Sequence, residues 1–337
     1  MHYLLGEYSI ETGVWQVDVT VSGQGAPQAM IVAEELTKRF NDFTAVDRVT
    51  FSVSAGEILA LLGPNGAGKT TTVRMLASIL APTSGRAWVT GHDTVADAQI
   101  VRHRVGILTE FPGLYLRMKG LEYLDFFGQL QGLSAERRRK RSEELLERFG
   151  MLEAANQRLG EYSKGMRQKM ALIRALLHDP PVLLLDEPTS AMDPRSAKQV
   201  RDCIRDLRSE QRAIVLCTHN LPEAETLADR IAIIRRGQII TLGTPAELKM
   251  RLLGPPLLEL RWRVSSDGHL PTLDDLIVIE DRGEDWLRYR TAQPEAVNPR
   301  LLHRLGEAAV EVITLSEVPR SLEDVYLRVV NDEVEEE

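Results

Sequence analysis

The residues Gly63-Pro64-Asn65-Gly66-Ala67-Gly68-Lys69-Thr70 follow the spacing G-x-x-x-x-G-K-[ST]. A loop of this kind wraps a polyphosphate in backbone N–H groups. Gly63, Gly66 and Gly68 allow close approach and unusual dihedrals. Pro64, Asn65 and Ala67 fill the turn, and the following helix, through Thr71, turns its positive end toward the anion. Lys69 can bridge the outer phosphates, and the Thr70 hydroxyl suits Mg²⁺. A second segment, Val182-Leu183-Leu184-Leu185-Asp186-Glu187, is an apolar run that ends in two carboxylates. Open α/β sheets bind ligands at such strand ends. Asp186 would hold Mg²⁺, directly or through water, and Glu187 would polarise an attacking water as general base. Acidic strand ends are common in isolation; it is their pairing with the glycine-rich loop that points to triphosphate hydrolysis.

The elements that must position these groups form an alternating pattern. Glu57–Leu62 reads as a buried strand before the loop, and 70–80 as the helix after it. Val182–Leu185 and Ala213–Cys217 are further buried strands. Continuous apolar runs separated by helices predict a parallel sheet covered on both faces. Between 111 and 180 the stretches Leu121–Leu130, Ala135–Phe149 and Met166–Leu177 read as helices with no strand among them, an all-helical insertion. Past Gly243 the pattern changes. Leu258–Val264 alternates strictly, and Asp275–Ile279, Trp286–Tyr289 and Val310–Thr314 are strand candidates. Pro299–Leu305 and Leu322–Val329 read as helices.

The expected organisation is an extension at 1–29, a triphosphate-binding domain at 30–243 with its helical part at about 111–180, a small α+β domain at 244–331 and an acidic tail at 332–337. Val14–Val21 reads as a short strand before the linker Gly23–Pro27; the extension is expected to be dispensable, or else an extra edge strand.

The chain has 337 residues, 43% hydrophobic and 27% charged, which is ordinary globular usage and excludes a disordered, collagenous or disulfide-stapled protein. A formal charge of −8 leaves no chain-wide basic footprint for nucleic acid. No apolar run reaches transmembrane length, and the start has no secretory-signal pattern. Cys203 and Cys217 fit neither a zinc site nor a disulfide framework; Cys203 reads as a small buried apolar group. The run Arg137–Arg141, followed by Glu143, Glu144 and Glu147, reads as a solvated helix face.

In order along the chain, the loop at 63–70, Tyr162-Ser163-Lys164-Gly165-Met166, the Asp186 strand, Ser190-Ala191-Met192-Asp193 and Thr218-His219 resemble the motifs of ABC-type ATPases, over about Ile31 to Leu242. The 162–166 segment is similar to the family's LSGGQ signature. Ser190–Asp193 resembles its D-loop and His219 its switch histidine. The resemblance implies an α/β fold: an ABC-type P-loop ATPase with a RecA-like core, an antiparallel β region and a helical subdomain, here followed by the small α+β domain. It implies ATP and Mg²⁺ as ligands and two such domains paired head to tail. Ser163 and the Gly165 backbone would then donate to the γ-phosphate held by the partner's loop. His219 would contact that phosphate, Asp193 would organise the seam, and Phe40 would stack on adenine. Ordinary packing would also account for Phe40, and a satisfied core histidine for His219.

Two departures from the family concern the signature: Lys164 replaces its first glycine and Met166 its glutamine, while Ser163 and Gly165 are kept. The third is Glu110, which stands where the family usually has a glutamine near the metal and the water. A glutamate only accepts hydrogen bonds. Near Mg²⁺ its charge helps and near the γ-phosphate it repels, about 4 kcal/mol for a charge pair at ~4 Å and an effective dielectric of ~20. Glu110 is expected to serve the metal region.

The family resemblance also gives the partners: separate transmembrane subunits, gripped near Phe111, Pro112, Leu114 and Tyr115, with the protein cytoplasmic and peripheral at the inner face of the cell membrane. The signature variant and Ser321–Leu327 resemble the drug-, sodium- and polysaccharide-export branch. The alternatives are a soluble ABC ATPase acting on nucleic acid or ribosomes, disfavoured by the single phosphate loop and the acidic charge, and a silent scaffold, disfavoured by Lys69, Asp186, Glu187 and His219.

Overall fold

The computed structural model describes residues 29–110, 112–190, 192–263 and 270–331. The expectations for the N-terminal extension (Val14–Val21 included), for Phe111 and Ala191, and for the acidic tail fall outside these residues, apart from Ala29.

The chain opens with a hairpin. β1 (Ala29–Phe40) pairs antiparallel with β2 (Phe43–Ser54), and the alternation of buried Ile31, Ala33, Val49, Phe51 and Val53 with mostly half-buried neighbours sets the inner face. β3 (Ile58–Leu62) is buried at every position and runs into the glycine-rich loop and α1 (Lys69–Leu76). α1 ends four residues before the predicted Leu80, because Ser78 turns left-handed at φ 54°. β4 (Ser84–Val89) and the two-residue β5 (His92–Asp93) complete a four-stranded antiparallel sheet in the order β2-β1-β4-β5. α2 (Ala98–Arg104) then leads into β6 (Val105–Leu108).

Helices follow: α3 (Gly120–Leu130), α4 (Ala135–Arg148) and α5 (Lys164–Leu176). α5 starts two residues before the predicted Met166, because Ser163 caps it by accepting the Met166 N–H. The basic run on α4 is only partly solvated. Lys140 and Arg141 pair with Glu144 as expected. Arg138 instead lies half-buried, pairs with Asp125 of α3 at 2.5 Å, and fills the space over Gly128.

β7 (Val182–Asp186), α6 (Pro194–Ser209), β8 (Ala213–Thr218), α7 (Leu221–Leu227), β9 (Arg230–Arg235) and β10 (Gln238–Gly243) finish the second sheet. Its order is β10-β9-β3-β8-β7-β6, parallel except for the β10 edge. One face packs against α1 and the antiparallel sheet, the other against the helical stretch and α6.

Beyond α8 (Pro245–Leu253) lie β11 (Leu257–Trp262), β12 (Val278–Arg282), β13 (Trp286–Arg290), α9 (Pro294–Glu307), β14 (Val312–Glu317) and α10 (Leu322–Asn331). The four strands form a third, antiparallel sheet around Leu260, Leu287 and Tyr289. Trp262 is part of this core, while Trp286 is half-buried under the Arg288 guanidinium. The predicted strand at Asp275–Ile279 begins later, at Val278, because the Leu276 and Ile277 N–H groups turn back onto the Leu273 carbonyl. The strand predicted at Val310–Thr314 begins at Val312, since the Val310 N–H closes α9 on Leu305. α8 and α10 do not pack on this sheet. Leu248, Leu322, Val325 and Val329 join Ala60, Leu62, Ile231 and Ile233 on the P-loop sheet.

Candidate active site

The glycine-rich loop sits at the C-terminal end of β3, in the middle of the parallel sheet, beside the ends of β8 and β7. Two of its glycines are sterically required. A Cβ on Gly63 would lie 2.2 Å from the Ile234 carbonyl oxygen, and Gly68 holds φ +108° with its own Cβ position 2.6 Å from the Ala45 carbonyl. The loop is therefore built against backbone and cannot take side chains at these points. Lys69 is buried, and its ammonium donates to the carbonyls of Gly63 (2.6 Å) and Pro64 (3.0 Å). It is thereby stretched back over the loop mouth.

A cavity of about 390 Å³ lies over the loop, lined by Asn65 to Thr71 and by Phe43, Ala45, Glu110, Asp186 and Glu187. Thr70 and Asp186, 116 residues apart in sequence, meet here: the Thr70 hydroxyl donates to Asp186 Oδ2 at 2.7 Å. Burial raises the Asp186 pKa, and the charges of Glu187 and Glu110 push the same way, against the Thr70 hydroxyl and Lys69. A buried carboxylate short of positive charge beside a hydroxyl is a hard-oxygen pair suited to Mg²⁺. Among the described residues, no three His, Cys, Asp or Glu side chains converge to hold a metal by themselves. The ion would thus rely on phosphate and water for its remaining ligands. Glu110 is exposed on the cavity rim.

Glu187 is buried and in the left-handed region at φ 51°, held there by its N–H to the Cys217 carbonyl (2.9 Å). Its Oε1 accepts both the His219 backbone N–H (3.0 Å) and His219 Nδ1 (2.7 Å). A carboxylate only accepts, so Nδ1 carries the proton and a neutral ring keeps Nε2 as an acceptor. The imidazole is 57% exposed, which excludes the core-histidine alternative. Cys217, next to Asp186 in the register, is fully buried, and that burial pushes its thiol well up. Burial also raises the Cys203 thiol to about 11, in line with its apolar reading.

Three parts of the expected site lie away from this cavity: the signature and Asp193, expected at the seam with a second chain, and Phe40, expected on adenine. Ser163 and Gly165 do not line it; they open α5, where a Cβ on Gly165 would meet only the Ser196 side chain of α6, at 3.7 Å. Asp193 caps α6 by accepting the Arg195 and Ser196 N–H groups. Phe40 is 46% exposed at the hairpin end, with the Lys38 ammonium 5.2 Å from its ring; neither core packing nor the cavity claims it. Among the described residues the aromatic that lines the cavity is Phe43, shared with a neighbouring cavity of about 290 Å³ that Pro64 also lines. One buried residue that the sequence reading missed, Glu223, ties the Glu187 and His219 loops together. Its signal in the sequence was an acid on the inward side of a short helix four residues past His219.

A parallel sheet whose central strand ends in this loop, flanked by a Thr–Asp pair and a Glu–His pair, is the build of a P-loop nucleoside triphosphatase. The family model described as ABC transporter matches residues 46–190. The chain is 37% identical over 306 residues to the daunorubicin/doxorubicin resistance ATP-binding protein DrrA of Streptomyces peucetius, spanning 89% of this chain and 92% of that protein. It is 34% identical over 315 residues to the Nod factor export ATP-binding protein I of Neorhizobium galegae, spanning 93% of this chain and 88% of that one. A solved ATP-binding subunit of an ABC transporter superposes with a TM-score of 0.63 at 27% identity, over 67% of this chain and 94% of its own. The chain belongs to the family of ABC transporter ATP-binding subunits and is an ATPase of the ABC fold.

Proposed function

We propose that this protein powers an exporter whose membrane-spanning subunits are separate polypeptides, working as two copies, or one copy and a related ATPase subunit, joined head to tail around two ATP molecules at the inner face of the cell membrane. The observation that carries the pairing is the incompleteness of the cavity. Lys69, Thr70, Asp186 and Glu187 converge on one space, while Ser163 and Gly165 stand elsewhere, at an exposed helix start. A helix N-terminus is a ready anion site, and in the proposed pair the second chain brings it to the phosphates.

In this reading Lys69 exchanges the Gly63 and Pro64 carbonyls for phosphate oxygens. The loop N–H groups hold the β-phosphate. Phe43 and Phe40 are the candidate contacts for the base. Thr70 and Asp186 would hold Mg²⁺, with Glu110 beside them; the ion neutralises phosphate charge. Glu187 takes the proton of the attacking water. His219, fixed by Glu187 at Nδ1, sits beside the γ-phosphate and accepts from the attacking water through its other nitrogen. Ser163 and the Gly165 N–H of the opposing copy stabilise the charge that develops on the transferred group. Loss of that group removes the contacts across the seam, and the pair opens.

Export is supported by the printed names of the relatives that run nearly the whole chain, which concern drug resistance and Nod factor export. A docking place for a membrane partner is supported by exposed Tyr115, Leu116 and Phe126; the Tyr115 ring stacks on Phe127 and meets Tyr123 and Phe126 edge-on, and Phe126 meets Phe127 edge-on. Among the described residues no helix is long and apolar enough to cross a membrane.

The test is Glu187→Gln on a sizing column. With MgATP this variant is expected to elute as a dimer and to hydrolyse at least about 100-fold more slowly than the parent. A variant that stays monomeric would remove the pairing of two copies and leave only pairing with a related subunit; one that turns over at the parental rate would remove the proposed base.

A further inference from the structure

Glu223 lies on α7, is 3% exposed, and has no part in the mechanism above. Its two oxygens point two ways. Oε1 accepts the Thr189 hydroxyl at 2.6 Å and Oε2 the Thr218 hydroxyl at 2.8 Å. Thr189 lies two residues past Glu187, and Thr218 immediately precedes His219. The contact is locked from behind. The Thr218 oxygen also accepts the Asn220 N–H at 3.0 Å, and the Asn220 side chain accepts the Glu223 N–H at 3.1 Å.

A buried carboxylate is costly. Burial raises the Glu223 pKa and the charge of Glu187 adds to it, while the two hydroxyls and, more distantly, Arg201 oppose. A leucine in this place would fill similar volume with no polar group to desolvate. What leucine cannot do is accept hydrogen bonds from two loops at once. The two loops belong to β7 and β8, neighbouring parallel strands, and each delivers one member of the Glu187–His219 pair.

We infer that Glu223 is a positioning residue for ATP hydrolysis: it clips the segment after β7 to the segment after β8 and so holds the His219 imidazole against Glu187. The inference rests on the roles proposed for Glu187 and His219, and it concerns turnover rather than nucleotide binding, because Glu223 lies outside the cavity that holds Lys69 and Thr70.

The test is a double-mutant cycle on the full chain, with steady-state ATPase rates, binding of a fluorescent ATP analogue and melting temperatures. His219→Ala is expected to lose at least about 10-fold in kcat. Glu223→Ala is expected to lose about 10-fold in kcat with KM and analogue affinity within about twofold of the parent. Glu223→Gln, which keeps the size and one acceptor, restores most of the rate. In the His219→Ala background Glu223→Ala adds nothing further, since its effect passes through the imidazole.

Parental kcat in Glu223→Ala overturns the inference. So does a loss that adds in full to that of His219→Ala, or one in which KM rises in step. Where Glu223→Ala does not fold, Thr189→Val cuts one arm of the clip and takes its place in the cycle; parental kcat there is equally fatal. The two readings separate cleanly: parental turnover in His219→Ala removes the site assignment and the clip with it, whereas loss in His219→Ala with none in Glu223→Ala removes the clip alone.

Discussion

Replacing Gly165 by alanine separates folding from assembly. Gly165 is the second residue of α5, and its Cβ position meets only the Ser196 side chain, at an ordinary 3.7 Å. Nothing within the chain opposes the added methyl. Alanine is worth about 1 kcal/mol over glycine in a helix interior and less at the first turn. The variant should therefore match the parent or gain up to about 1 kcal/mol, a melting temperature unchanged or raised by about 2–4 °C. Its isolated nucleotide pocket is untouched, so ATP-analogue affinity measured on the monomer should hold. If the Gly165 N–H of one copy approaches the γ-phosphate bound by the other, the methyl intrudes where an oxyanion must sit. Losing one such donor costs about 100-fold in comparable sites, so ATPase activity should fall at least about 10-fold. Gly63→Ala is the contrast. Its Cβ would lie 2.2 Å from the Ile234 carbonyl oxygen and 3.2 Å from the Ala67 Cβ, so β9 or the loop must move. Overpacking of this kind costs about 1–3 kcal/mol, and analogue binding should fall together with stability. Scanning calorimetry, analogue titration and steady-state ATPase rates read all three quantities. A Gly165→Ala variant that is stable and turns over at the parental rate would refute the head-to-tail contact; one less stable than Gly63→Ala would refute the packing argument itself.

His178 gives a pH test. Burial, helped by His103 and Arg212, lowers its pKa from 6.5 to about 4, against the pull of the Val105 backbone and Asp179. The unfolded chain thus takes the proton first, and stability falls as pH drops from 6.5 toward 4, by about 3 kcal/mol from this group. Urea unfolding at pH 7 and pH 4 should show the parent losing that much more than His178→Phe; parallel losses would exclude it. Leu116→Glu places a charge on the exposed apolar patch next to Tyr115. It should leave the ATPase rate of the isolated chain unchanged and abolish co-purification with membrane subunits from detergent extracts. Retained capture would move the docking site elsewhere.

How much was legible in the sequence depended on how locally each feature is encoded. β3, β7 and β8 are continuous apolar runs because both faces of their sheet are covered, and they were read within a residue or two. The helices of the 111–180 stretch are also legible, α3 and α5 from their apolar faces and α4 from a run of strong helix formers behind the Ser134 cap. Boundaries failed where a polar turn decided them, as at Ser78 or at the Leu273–Ile277 turn before β12. β1, β2, β4 and β5 came only through family resemblance, since their half-exposed alternation is broken by irregular register at Glu34–Thr37. The loop at 63–70 and the pair Asp186–Glu187 were legible because their chemistry fixes spacing. Phe43 was not, because which of two hairpin aromatics faces the loop depends on a turn that composition does not encode. Glu223 was not, because its partners lie 34 and 5 residues away and meet only when β7 lies beside β8.

The same crossing of distant segments bears on how the accessory sheet is joined to the ATPase core. α7 begins one residue after Asn220, beside His219, and its opposite flank carries α10. Glu225 accepts the Leu322 N–H that opens α10 (3.2 Å) and pairs with Lys249 of α8. Leu322, Val325 and Val329 bury themselves on Ala224, Ile231 and Leu248, each worth about 1.5–3 kcal/mol relative to exposure. The return of the chain is also fixed. Arg290 donates to the carbonyls of Leu253 and Pro255, and Arg320 to that of Gly254. A sequence boundary at Gly243 therefore does not coincide with a boundary between cores: the accessory sheet has its own, but the ATPase core is completed by helices that come from beyond Gly243. α10 follows β14 after only a short connection and packs beside α7, the helix that carries Glu223. Truncation ahead of α10 would therefore uncover Ala224, Ile231 and Leu248 on the ATPase core, so α10 belongs to that core and not to an appendage.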